Sequence, residues 1–185
     1  MTRKTVVELQ AQADSSLPDN SSNLITPAAI RTMIKDFLDS FTPAYGALNI
    51  TTNKVLAAGL ADIPVSPFDA VVIAQSPEFT ADAVAGTITR AQTIVTNSMT
   101  LNLSFEAPAN RNITFTIYKD GAPTANSITV TGAGASNPVS ANLVALDYSA
   151  AAVTYSVRCR ADANNTTVTI TGGTFIAAAV PVRTA

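Results

Sequence analysis

Ile113-Thr114-Phe115-Thr116-Ile117-Tyr118-Lys119-Asp120-Gly121-Ala122 alternates large apolar and polar side chains and then reaches Asp-Gly. Alternation with period two places one set of side chains on each face of a pleated strand. Asp-Gly after such a run favours a two-residue turn in which both central residues take positive φ. The stretch therefore predicts a strand that folds back as a tight hairpin.

The same period runs outward in both directions. Upstream, Met99, Leu101, Leu103 and Phe105 alternate with Thr100, Asn102 and Ser104. Further upstream lie the short runs around Leu48–Ile50, Ile63-Pro64-Val65, 71–74, Phe79 and Thr87-Ile88-Thr89. The Pro and Asp boundaries of Ile63–Val65 and 71–74 suit edge or turning strands. Downstream, Ser127–Thr131 returns from the hairpin, and Val139–Leu146 reads as a strand with an irregularity. Val153–Arg160 then places Val153, Tyr155, Val157 and Cys159 on one face, with Arg158 and Arg160 on the other. Thr167–Thr171, a bulge at Gly172-Gly173, and Thr174–Val180 complete the series. About eight to ten short strands at ~8–12-residue spacing predict a mainly β fold, an antiparallel jelly roll or sandwich.

The period changes N-terminal to residue 43. Ile30, Met33, Ile34, Phe37, Leu38 and Phe41 recur at helical spacing, opposite Arg31, Thr32, Lys35, Asp36 and Asp39. Thr26 supplies a cap, Pro27 suits the first helical position, and Thr42-Pro43 ends the run. Ile30, Ile34, Phe37 and Phe41 keep a 4-3-4 spacing over two heptads, too short to trimerise unaided. A helix of this length is marginal alone and needs a surface to dock on, either its own assembly or another protein. Residues 1–25 are polar and turn-rich, and such composition stays disordered unless contacts hold it. They read as an extended attachment arm in which Val6 and Leu9 are the apolar contact candidates. The expected organisation is thus an arm at 1–25, an amphipathic helix at 26–42, a hinge at 43–46 and a β-domain at 47–185.

Composition narrows the chemistry. The 185 residues contain no histidine or tryptophan and one cysteine, and their net charge is -2. Without histidine the commonest general base and zinc ligand is missing. A balanced charge offers no general pull toward nucleic acid or an anionic membrane. No apolar run is long enough for a membrane span, and the N-terminus lacks a signal-peptide pattern. Cys159, on the inward side of its strand, reads as packing. Asp36 and Asp39 share a solvated helix face. Asp62, Asp69 and Asp82 lack the spacing of a known calcium loop. Gly132-Ala133-Gly134-Ala135-Ser136 lacks the GK[ST] ending of a phosphate loop and joins two strands. These readings leave no catalytic, cofactor-binding or metal-ligating residues and predict a non-enzymatic protein.

The hairpin Ile113–Gly121, the late strand Tyr155–Arg160 and the closing Gly172-Gly173-Thr174-Phe175-Ile176 resemble the trimeric jelly roll of the C1q and tumour-necrosis-factor superfamily. The layout of a polar arm, the stretch Ile25–Asp36 and an opening segment Tyr45–Ile50 is similar to small virion proteins of tailed bacteriophages. That resemblance implies a homotrimer on the particle surface, its N-terminal regions bound to the particle and its β-domains projecting outward. Without a signal peptide it is expected to be made in the host cytoplasm, and no cofactor is expected. Its implied partner is the major capsid protein or another virion protein, with neither nucleic acid nor membrane. Contacts would come from Val6, Leu9, Ile30, Met33, Ile34, Phe37, Leu38 and Phe41. A capsid decoration (cement) protein is the leading expectation. The alternative is a head or tail fibre whose loops recognise a host surface glycan or protein.

Overall fold

The computed structural model describes residues 11–12, 15, 30–34, 44–74, 78–91 and 95–180. The chain divides into two units, Ala44–Pro181 and a second formed by Met1–Pro43 with Val182–Ala185. In the second unit, residues 30–34 are helical, as their apolar spacing requires. Ala11, Gln12 and Ser15 are helical too, with the Ser15 hydroxyl donating to the Gln12 carbonyl at 3.1 Å, so at these positions the arm is not extended.

The first unit is built from twelve strands among the described residues. In order they are β1 (Tyr45–Ile50), β2 (Lys54–Ala58), β3 (Ile63–Pro64), β4 (Ala70–Ala74), β5 (Phe79–Asp82) and β6 (Thr87–Arg90). They continue as β7 (Val95–Glu106), β8 (Asn112–Lys119), β9 (Ala122–Thr131), β10 (Val139–Ser149), β11 (Val153–Ala161) and β12 (Thr166–Val180). One sheet runs β10-β7-β12-β1-β4 with β2 added beside β12; the other runs β5-β6-β11-β8-β9 with β3 added beside β11. Every pairing is antiparallel. This is the jelly-roll sandwich that the alternating runs predict.

The turn after Lys119 is the expected two-residue hairpin. Asp120 and Gly121 take φ of 49° and 79°, and the Thr154 amide donates to the Asp120 carboxylate at 2.8 Å. The core lies between the sheets and draws on the inward half of each strand. Leu101, Leu103 and Phe105 meet Phe115, Ile117, Tyr155, Val157, Cys159, Phe175 and Ala177. Phe105 and Phe115, from opposite sheets, cross edge to face with centroids 5.1 Å apart.

β12 changes phase partway along its length. Val168 and Ile170 face inward before Gly172-Gly173, while Phe175, Ala177 and Ala179 face inward after it. The register against β7 shifts between Ile170 and Gly172, which is the bulge expected there. Gly173 has φ of 151°, and a Cβ on it would lie 2.3 Å from the Asn102 carbonyl oxygen. The bulge lets one strand pair with β2 over its first half and with β1 over its second.

Three details differ from the sequence reading. β10 pairs with β7 without a break from Val139 to Ser149, so the expected irregularity is absent. β2 has an alanine-rich sequence with weak strand preference and is held extended by the first half of β12. Tyr45 and Gly46, assigned to the hinge, are the first residues of β1 and pair with Ala178 and Ala177.

Candidate functional site

The outer faces of the two sheets carry different chemistry. On the β8-containing sheet the outward residues include Thr87, Thr89, Thr154, Ser156, Thr114, Thr116 and Thr129, with Arg158 and Arg160. Hydroxyls bond across strands there, Thr89 to Thr154 at 2.9 Å and Thr114 to Thr129 at 2.8 Å. The Arg158 guanidinium lies 4.3 Å from the centroid of the Tyr118 ring, whose hydroxyl donates to Asp62 at 2.6 Å. That face is polar and largely self-satisfied.

The outward face of the β10-β7-β12-β1 sheet is nearly free of charge. Val144, Leu146 and Tyr148 on the edge strand β10 are 69%, 66% and 60% exposed. The strand registers place Tyr148 beside Thr96 and Val180, Leu146 beside Ser98 and Ala178, and Val144 beside Thr100 and Ile176. Tyr45 and Ala47 extend the second and third rows onto β1. An apolar ridge thus borders a trough of small polar residues on β7, with a half-buried apolar ridge on β12 beyond it. The next row, Asn142-Asn102-Thr174-Asn49, is polar. The apolar half lies at the end where the chain comes in at Ala44 and leaves after Val180; the Ala179 amide donates to the Ala44 carbonyl at 2.9 Å.

A long, apolar edge strand left in water invites pairing with another chain. Lack of charge and an aromatic residue at the rim match the core of protein interfaces. Burying Val144 and Leu146 from their present exposure is worth about 1–2 kcal/mol each. The ridge is therefore the described surface best suited to contact another protein. Sequence reasoning missed it, although the alternation Asn142, Val144, Leu146, Tyr148 was readable: with Ala141, Leu143 and Ala145 between them, the two faces of β10 look alike.

A buried polar network stiffens this same end. Arg90 is 1% exposed and Asn97 fully buried. The Tyr155 hydroxyl donates to Asp147 Oδ2 at 2.6 Å and accepts from Asn97 Nδ2 at 2.8 Å. Lys119 Nζ reaches Asp147 at 2.8 Å from the opposite sheet. Arg90 Nη2 donates to the Ser149 and Ala151 carbonyls at 3.3 and 3.1 Å. Burial, together with the Asp147 hydrogen bond, pushes the Tyr155 hydroxyl far above its ordinary range. Asp147, the inward residue between Leu146 and Tyr148, thereby ties the ridge strand to β8 and β11.

The other sequence candidates are dispersed. Asp69 accepts from the Thr51 and Thr52 amides at 2.6 Å each and pairs with Lys54. Asp62 holds Tyr118, and Asp82 accepts from the Val84 and Ala85 amides. The three aspartates do not converge, and among the described residues no cluster of three acidic, thiol or imidazole groups could hold a metal. Cys159 is fully buried, and desolvation pushes its thiol up to about 12. Of the eight contact candidates, Ile30 and Ile34 are 39% and 50% exposed, and Met33 is half-buried. Val6, Leu9, Phe37, Leu38 and Phe41 lie outside the described residues, as do Asp36 and Asp39.

No known family model and no curated protein sequence matches the chain. Among solved structures it is similar to the Eiger tumour-necrosis-factor protein of S. frugiperda, with a TM-score of 0.54. The two are 10% identical in sequence; the similarity covers 77% of this chain and 96% of that one. The likeness is one of fold: the β-domain is a jelly roll of the tumour-necrosis-factor type.

Proposed function

We propose that the chain is a non-enzymatic structural protein of a tailed-bacteriophage particle, a homotrimeric capsid decoration protein. The observation that carries the self-association is the uncharged apolar ridge Val144-Leu146-Tyr148 beside the trough of β7 and the lower ridge of β12 on the same sheet face. A second copy is its natural occupant, because a ridge on one edge and a trough beside it suit a heterologous contact, the kind that forms a closed ring when its rotation is three-fold. The ridge lies where the chain enters the β-domain, so closure would bring the three Ala44 chain entries to one end, each with its arm attached. Gathered arms bind through effective concentration even when each contact is weak. The hydroxyl-rich face of the other sheet would stay in water.

The virion assignment rests on the arm, helix and jelly-roll layout and its likeness to small phage virion proteins. The absence of histidine and the engagement of the described aspartates in structural bonds support a non-enzymatic role. A head or tail fibre recognising a host surface is the second reading, favoured by the cleft between the β7–β8 and β9–β10 connections. Crosslinking mass spectrometry on whole particles tests the choice. Crosslinks from Lys4 or Lys35 to the major capsid protein, at high copy number, are the expected result. Crosslinks confined to a tail or fibre component would replace the decoration reading, and absence of the protein from particles would end it.

A further inference from the structure

At the end of the sandwich away from Ala44 and Val180, a cleft of 330 Å³ opens between the β7–β8 and β9–β10 connections. Its walls are Ala107, Pro108, Ala109, Gly134 and Ala135, and its polar groups are Glu106, Thr167 and Thr169. The size lies at the lower end of the range for small-molecule sites.

The cleft is held in shape by backbone bonds between the two connections. The Gly132 amide donates to the Arg111 carbonyl at 2.8 Å and the Gly134 amide to the Ala107 carbonyl at 3.0 Å. The Asn110 amide returns a bond to the Gly132 carbonyl at 3.1 Å. Gly132 packs so closely that a Cβ would sit 2.5 Å from the Pro108 carbonyl oxygen. A wall fixed before binding lowers the ordering cost of a ligand.

The glycine loop Gly132–Ser136 cannot cradle phosphate, because the Gly132 and Gly134 amides are spent on these carbonyls and Glu106 supplies negative charge beside them. Glu106 accepts hydrogen bonds, and Thr167 and Thr169, two residues apart on one face of β12, both donate and accept. Small side chains and Pro108 give a shallow wall for C–H groups.

From this arrangement we infer that the cleft binds a single neutral or amino-sugar unit, with ring hydroxyls or an ammonium on Glu106 and further hydroxyls on Thr167 and Thr169. No aromatic ring lines it, so affinity per copy is low and becomes useful through repetition. The gain from repetition rests on the trimeric reading; the site itself does not.

Saturation-transfer NMR on the full chain tests this with methyl glucoside, glucosamine and glucuronic acid as probes. Transfer to the first two, and at least fivefold less to glucuronic acid, is the expected pattern. Glu106→Gln should weaken glucosamine about tenfold and narrow the gap to glucuronic acid. Ala135→Trp, on an exposed loop, should fill the cleft and remove transfer while thermal unfolding is unchanged. Absence of transfer from any probe, equal transfer from glucuronic acid, or transfer that survives Ala135→Trp overturns the inference. Each readout comes from the chain whatever its assembly, so a monomeric wild type would defeat the trimer without touching the sugar site.

Discussion

Replacing Tyr155 by Phe keeps the buried ring and deletes one oxygen. That oxygen donates to Asp147 at 2.6 Å and accepts from Asn97 Nδ2 at 2.8 Å. Asn97 is fully buried and its Oδ1 already has no partner, so after the change its whole carboxamide is unsatisfied. Asp147 retains Lys119 but loses a bond from inside the core. Stranding one buried amide and weakening a carboxylate contact costs about 2–3 kcal/mol. For a chain of this length each kcal/mol moves the unfolding midpoint by roughly 2–4 °C, so a fall of about 4–12 °C is expected. Tyr155→Phe should also change the alkaline limb. A hydroxyl whose folded-state pKa is raised contributes stability in full below the ordinary tyrosine value and loses it as pH rises toward the folded value. The variant lacks that titration, so its deficit against wild type should shrink above pH ~10. Calorimetry at pH 7 and in alkali supplies both readings. A midpoint within a degree of wild type at pH 7 would refute the view that this network ties the ridge strand to the opposite sheet.

Three further expectations concern the rest of the fold. Gly173→Ala meets the Asn102 carbonyl oxygen and Leu103 at a φ of 151°, and should cost about 3 kcal/mol or more, read as a lowered denaturation midpoint. Cys159 should resist an aromatic disulfide reagent in the native protein at pH 8 and react on unfolding; its burial contribution, full below the ordinary value of 9.0, should fade as pH rises toward about 12. Lys54, then the Thr51 and Thr52 amides, hold Asp69 well below the usual carboxylate range. Its contribution is present above the ordinary value of 3.8 and lost as pH falls below it, so Asp69→Asn should destabilise at pH 7 and flatten the acid limb of the stability profile.

The architecture was legible where local chemistry and tertiary environment agree. Asp120-Gly121 can take two positive φ values in succession, and the alternation through Leu101 and Phe115 admits one inward face. Cys159 was placed inward by its neighbours Tyr155 and Val157, as found. Legibility failed where a partner strand decides. β2 is a strand because β12 runs beside it, which Lys-Val-Leu-Ala-Ala does not announce. Arg90 follows Ile88 at the inward period, yet its charge argues for the surface. The groups that offset part of its burial, the Ser149 and Ala151 carbonyls bonded by Nη2 and the nearby Asp147 charge, lie about sixty residues away in sequence, while Nε and Nη1 are buried without a hydrogen-bond partner. The apolar ridge and the sugar cleft are likewise products of register and loop closure, set by strands that meet only in the folded chain.

Sedimentation equilibrium of the wild type beside Leu146→Glu tests the central claim most directly. The account predicts that wild type sediments as three 19.1 kDa chains. It predicts a single folded chain for Leu146→Glu, because a charge would enter the apolar contact in every copy. A monomeric wild type, or a Leu146→Glu protein that remains trimeric, would contradict it.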